Sequence, residues 1–226
     1  MRAYKVARFF YRSIHDPGTG ACHYTTGMEV FTVGTDLHWR ETTEDPPYPV
    51  LAWKTATFFK GSLVWPIDEC VLGLLPPGFL RFSLEDETFG VTPPPPCDWR
   101  LYFGWCPLAE LRGELCVAVK GVNISTMEMW MCDNAENPQW DRRYTINATS
   151  YMPPDFNPIA LFDDEIVFKE YYFGTRRYNV RTKTYAYEFR LKYLPYHNPV
   201  TGMLGYQERR FAYIDVIPYT PSLIRI

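Results

Sequence analysis

Few side chains in this sequence are spaced for chemistry. Six cysteines (Cys22, Cys70, Cys97, Cys106, Cys116, Cys132) and four histidines (His15, His23, His38, His197) are the natural metal ligands and nucleophiles, but no two cysteines form a C-x-x-C pair and the histidines are scattered. Cys22 and His23 are adjacent, and an extended strand points neighbouring side chains to opposite faces. The carboxylate pairs Asp68-Glu69, Glu85-Asp86 and Asp163-Asp164 have the residue types of a general acid and base. They fall mostly where turns are expected, and adjacent carboxylates do not flank a scissile bond. There is no G-x-S-x-G, no H-E-x-x-H and no glycine loop to cradle a phosphate. The sequence therefore reads as a non-enzyme with no metal and no cofactor.

Binding is a better fit to the remaining residues. Tyr171, Tyr172, Arg176 and Arg177 gather the residue types that anchor protein interfaces, and Trp105 in "YFGWCPLAEL" is a further aromatic candidate. Arg176 and Arg177, with Arg181 and Lys183 nearby, are also the closest approach to a basic cluster. With a net charge of −3, that cluster reads as a solvated strand and loop, not as a grip on nucleic acid. No apolar run approaches the roughly 20 residues of a membrane span. The first residues, "MRAYKVARFFYRS", interrupt their hydrophobes with charge, as a strand does and a signal peptide does not. The sequons at Asn123 and Asn147 then read as chance matches, and the cysteines as buried free thiols of a reducing compartment, cytoplasm or nucleus.

The elements that would position these residues repeat. "FKGSLVW", "LRGELCV" and "FDDEIVF" begin at Phe59, Leu111 and Phe162, 52 and 51 residues apart, and each reads as a hairpin. After each comes a strand, a polar turn and an aromatic that opens another strand: Glu85-Asp86 then Phe89, Asp133-Asn134 then Trp140, Thr182-Lys183 then Tyr185. Phe82, Trp130 and Tyr178, 48 residues apart in each step, are assigned to matching places, and Phe31 with Trp39 form an earlier copy. Helices are not expected among 20 prolines and 14 glycines.

The fold predicted is all-β: a propeller-like array of four-stranded blades with a period of about 50 residues, in one domain. Blade-like units cover about 4–45, 50–97, 101–146 and 157–195, with a closing segment at 204–226, and the first unit lacks its innermost strand. Either that segment closes the ring or the chain is a fragment of a longer propeller. Loops at Asp68–Gly78, Lys120–Thr126 and Tyr171–Arg176 share one end with the connections Thr42–Pro49, Thr92–Asp98 and Asn147–Pro158, and that end is the expected binding face. "TPPPPC" at Thr92–Cys97 reads as a stiff connection, and Trp130 and Trp140 as core.

"YKVARFFYR", "EVFTVGTDLHWR", "TFFKGSLVWPID", "FLRFSLEDETFGVTPPPP", "LAELRGELCVAV" and "MEMWMCDNAENPQWDRRYTI" together resemble the F-box associated domain of plant F-box proteins, most of all the cereal set. The resemblance runs from Tyr4 to Ile146 and more loosely to "RRFAYIDVIPYTPSLIRI". It implies a kelch-like module that selects the protein substrate of a cullin-RING (SCF-type) ubiquitin ligase. In that family an F-box helix bundle docks on the Skp adaptor. No "LPxDLLxEILxRLP"-like segment occurs here, so adaptor binding is implied only with an F-box upstream. The family has no catalytic residues to carry over. The competing readings are a propeller enzyme acting on sugars, a secreted disulfide-bonded protein, and a diverged fragment without a ligase role.

Overall fold

Lys60-Gly61 and Arg112-Gly113 both take positive φ (44° and 84°, 54° and 81°), the backbone of the two-residue turn that matches the right-handed twist of paired strands. Glycine supplies the second position at no steric cost, and a tight antiparallel hairpin follows in each case. Asp163 occupies the corresponding first position at φ 48°. In this computed structural model the described residues are 4–15, 22–51, 54–68, 78–97, 106–120, 126–147, 156–170, 174–190, 195–197 and 201–206.

They form seventeen strands and, among the described residues, no helix. The first sheet holds β1 (Lys5–His15), β2 (Cys22–Thr32) and the two-residue β3 (Arg40–Glu41). The second holds β4 (Thr57–Phe59), β5 (Ser62–Pro66), β6 (Phe79–Ser83) and β7 (Phe89–Thr92). The third holds β8 (Leu108–Leu111), β9 (Glu114–Lys120), β10 (Thr126–Cys132) and β11 (Asp141–Asn147). The fourth holds β12 (Phe156–Phe162), β13 (Glu165–Glu170), β14 (Gly174–Asn179) and β15 (Thr184–Arg190). A hairpin of β16 (Pro195–His197) and β17 (Leu204–Tyr206) follows. Every sheet is antiparallel with strands in sequence order, the meander of a propeller blade, and the first sheet has three strands as expected.

The chain divides into two units, Met1–Cys97 with Asn134–Pro138, and Asp98–Asp133 with Gln139–Ile226. In the first, Met28 and Val30 of the first sheet pack with Trp65, Leu80 and Phe82 of the second, with Ala7, Phe9 and Phe89 at the margin. In the second, Cys116, Ala118, Met127, Met129 and Met131 of the third sheet pack with Ile166, Phe168 and Tyr178 of the fourth. Two sheets that each have an apolar face remove that face from water by stacking, which is why blades come in succession.

Strand register corrects one expectation. Phe82 lies opposite Leu63 and Tyr178 opposite Ile166, but the residue opposite the equivalent Leu115 is Cys132, not Trp130. Constant spacing misplaces the tryptophan by two residues. A two-residue slip keeps the same face, so hydrophobic alternation cannot reveal it. The β10–β11 ladder shifts register between Met129 and Trp130, and Trp130 is only partly buried, with Arg142 over its ring at 5.9 Å and Glu128 accepting from its indole N–H at 3.2 Å. Trp140 is also half-buried. Core packing belongs instead to Met127, Met129 and Met131.

The turn between the third and outer strands is shared by the second and fourth sheets. Glu87 and Lys183 both stand at φ 57°, and their N–H groups bond the carbonyls of Ser83 and Asn179 at 2.9 Å. The N–H groups of Leu84 and Val180 reach the carbonyls of Gly61 and Asp164 at 2.9 and 2.8 Å, tying this turn to the first hairpin in each sheet. The Asn179 side chain caps its turn by accepting from the N–H groups of Arg181 and Thr182.

Candidate functional site

Of the residues singled out for binding, Arg176 and Arg177 do not lie in a surface loop. Arg176 and Arg177 lie within β14, because pairing with β13 already begins at Gly174. Arg176 faces the third sheet together with Tyr178; it is 8% exposed and sits 5.9 Å from the Tyr185 ring. Its long aliphatic stem lets a cation cover apolar surface, which sequence alone reads as a surface charge. Arg177 is partly buried on the other face and pairs with Glu165 at 2.9 Å. Tyr171, Tyr172 and Trp105 lie outside the described residues, as does most of the loop end expected to bind. Pro158, assigned to a connection, lies inside β12 at a register shift, the place where an edge strand tolerates proline.

Among the described residues Phe58, Phe162 and Met203 are exposed apolar side chains in other parts of the chain, and five more gather in one region. Tyr4, Val6, Val33, Leu37 and Trp39 are all exposed, and all belong to the first sheet and its β2–β3 turn. Leu37 is 89% exposed. The turn places it there: Asp36 accepts from the Thr32 N–H at 2.7 Å while the Asp36 N–H returns to the Thr32 carbonyl at 3.0 Å, so the next residue is held out from the sheet. Tyr4 joins this end because its carbonyl accepts from the Val33 N–H at 2.8 Å.

An ionic clasp fixes that end. Lys5 and Arg40 both reach Glu87 of the neighbouring β6–β7 turn, at 2.9 and 2.6 Å, and Lys5 also donates to the Leu84 carbonyl at 2.7 Å. Hydrogen bonding from Arg40, with a second bond from Lys5, outweighs partial burial and lowers the Glu87 carboxyl to about 2. The exposed leucine is thereby mounted on a rigid end, which lowers the ordering cost of a contact.

The outer face of the first sheet, turned away from the second, has its own order. Val6 lies opposite Phe31, and Glu29–Glu41 and Val30–Arg40 pairing places Trp39 beside Phe31, with ring centroids 5.7 Å apart. Arg8 lies over Trp39 at 4.6 Å and Arg12 over Phe10 at 4.9 Å. Phe10 in turn covers Gly27, where a Cβ would come within 2.5 Å of the ring.

Among the described residues no group of three or more His, Cys, Asp or Glu is placed to hold a metal. Cys106, Cys116 and Cys132 are buried and Cys97 is half-buried; burial pushes the Cys116 thiol up, away from reactivity. Residue type alone would not have found the first-sheet surface. Its signal is the bare apolar Leu37 inside a polar turn.

Comparison with known proteins gives one informative match. The chain is 27% identical over 188 residues to an F-box protein of Arabidopsis thaliana, covering 79% of this chain and 45% of that protein. The chain thus spans about half the length of the curated relative it matches. A structural-genomics protein of unknown function from Bacteroides thetaiotaomicron superposes with a TM-score of 0.38 at 10% identity, over 87% of this chain and 56% of the other, too loosely to carry an argument. No protein-family model matches. The first of these comparisons relates the chain distantly to an F-box protein.

Proposed function

We propose that this chain is a non-catalytic protein-binding module, the substrate-recognition part of an F-box type ubiquitin ligase acting in the cytoplasm or nucleus. The observation that carries this reading is the similarity to an F-box protein over 79% of the chain. Rigid blade-like sheets with the highly exposed apolar Leu37 at a turn suit recognition of another protein. The likeness to the cereal F-box associated domain, read from the sequence, points the same way. The partner is a folded or extended protein that covers Leu37, Val33 and Tyr4. The Skp adaptor joins only where an F-box stands on the same polypeptide.

The test is affinity capture from plant extract with the chain and its Leu37→Asp variant, each shown to be folded by its melting curve. One discrete protein retained by the parent and lost with Leu37→Asp supports the reading, and stabilisation of that protein in cells lacking the chain ties it to degradation. Equal capture by both would move the site off the β2–β3 turn, and no capture by a folded chain would remove the reading.

A further inference from the structure

The second unit shows what covers an innermost strand. Leu161 of β12 lies opposite Ile166, itself opposite Tyr178, so it shares the face turned to the third sheet. Ala109 and Leu111 of β8 pack with it there, and Leu161 is 9% exposed. In the first unit Phe58 of β4 holds the same place, opposite Leu63, itself opposite Phe82, on the face turned to the first sheet. Phe58 is 59% exposed, because the first sheet ends at β1 where the third continues from β9 to β8.

The same difference leaves β1 with an open edge. The Val33 N–H bonds the Tyr4 carbonyl at 2.8 Å, and bonded and non-bonded pairs alternate along an antiparallel ladder. Val6, Arg8 and Phe10 therefore bond to β2, while Lys5, Ala7, Phe9 and Tyr11 turn their N–H and C=O groups outward. No described strand pairs along that edge, and all seventeen described strands already lie in sheets.

We propose that one extended segment of the protein this module recognises adds to the β1 edge, antiparallel as β8 is to β9, and covers Phe58 with its apolar side chains. The inference rests on the protein-binding reading and names how the partner is held. The site admits a single strand, because the second sheet is one strand wider than the first. The pattern it takes is that of β8, whose Ala109 and Leu111 are buried towards the neighbouring sheet while Glu110 is exposed: small or branched apolar residues at every second position. Main-chain hydrogen bonds supply the grip, and Phe58 supplies the selection. The edge begins at Tyr4, which is tied to Val33, so it runs on from the exposed Leu37 turn. One partner thus reaches both.

Hydrogen exchange resolved to single residues tests the edge, with the synthetic peptide "PLAELRG" (Pro107–Gly113) as the probe strand. In the chain alone the amides of Ala7, Phe9 and Tyr11 should exchange fast and those of Val6, Arg8 and Phe10 slowly, and the peptide should slow the first set. Ala7→Pro removes an outward N–H without touching the β2 ladder and should abolish that protection. Phe58→Asp should weaken the peptide by about tenfold or more, as loss of an aromatic anchor does. Should Ala7→Pro fail to fold, this substitution at an exposed position gives the same readout. In capture from plant extract, the protein retained by the parent should be lost with both variants, each shown to be folded by its melting curve. Slow exchange at Ala7, Phe9 and Tyr11 in the chain alone would mean that its own residues fill the edge and would overturn the proposal, as would a peptide that protects nothing. A protein retained by both variants yet lost with Leu37→Asp would overturn strand addition and leave the recognition reading standing. No protein retained by any folded chain would overturn both.

Discussion

Phe82 stacks on Phe89 in the first unit and Tyr178 on Tyr185 in the second, but the sheets they rest on differ. The first unit fills the space with Met28, Val30 and Phe9, the second with Met127, Met129, Met131 and Cys116. The turn that follows differs as well. At the same φ of 57°, Glu87 accepts two cations from the neighbouring sheet, whereas the second unit has Lys183. The same blade geometry is thus held by shaped side chains and an ionic clasp in one unit, and by adaptable thioethers in the other. The lesson is that a repeat conserves register and backbone while the filler changes, because the row needs volume more than identity.

The comparison breaks first at its cores. Phe82→Ala, at a side chain with no exposure, should cost about 3–5 kcal/mol in chemical denaturation. Met129→Leu, equally buried, should cost less than about 1.5 kcal/mol, since a flexible thioether is exchanged for a residue of similar volume. Equal losses at the two sites would mean that the second core is as tightly specified as the first.

Next comes the buried guanidinium of the second unit. Arg176→Glu should destabilise by about 3 kcal/mol, because it buries a carboxylate beside the Tyr185 ring. A variant as stable as the parent would restore Arg176 to the surface.

Acid should separate the units. Glu87 is lowered from 4.5 to about 2 in the folded chain, so the stability it contributes is fully present above about pH 4.5 and is lost as pH falls toward about 2. The equivalent position of the fourth sheet holds Lys183, not a carboxylate. Hydrogen exchange at pH 3 should therefore show β1, β2 and β6 opening before β13 and β14, and Glu87→Gln should remove most of that difference. Simultaneous opening of both units in the parent would show that the clasp is not a separate stabilising element.

The smallest effect is the sharpest contrast. Lys183→Gly should stabilise by roughly 0.5 kcal/mol, since glycine adopts the positive φ without a Cβ penalty. Glu87→Gly, at the same φ, should destabilise by about 1 kcal/mol, because the lost ion pairs exceed the relief. Opposite signs in thermal melts would confirm that one turn is a connector and the other a clasp.

Much of the fold was legible because its signals are local. Lys60-Gly61 and Arg112-Gly113 specify their turn by backbone sterics, and alternation in "YKVARFFY" is the pleat of β1 written in residues. The aromatics Trp39, Phe89 and Tyr185 marked the outer strands for the same reason. Neither candidate surface was legible. Arg176 and Leu37 carry the opposite burial from the one their types suggest, since packing of the next sheet decides which face is covered.

The sequence by itself determined the strands, their turns and the roughly fifty-residue repeat, all consequences of φ preferences and period-two alternation within a few residues. Only the tertiary structure decided register, which put Cys132 and not Trp130 opposite Leu115, and exposure, which left Val6, Leu37 and Trp39 to solvent. Both depend on which strand or sheet arrives next. A two-residue slip or a missing neighbour leaves the local pattern unchanged while altering every contact it makes.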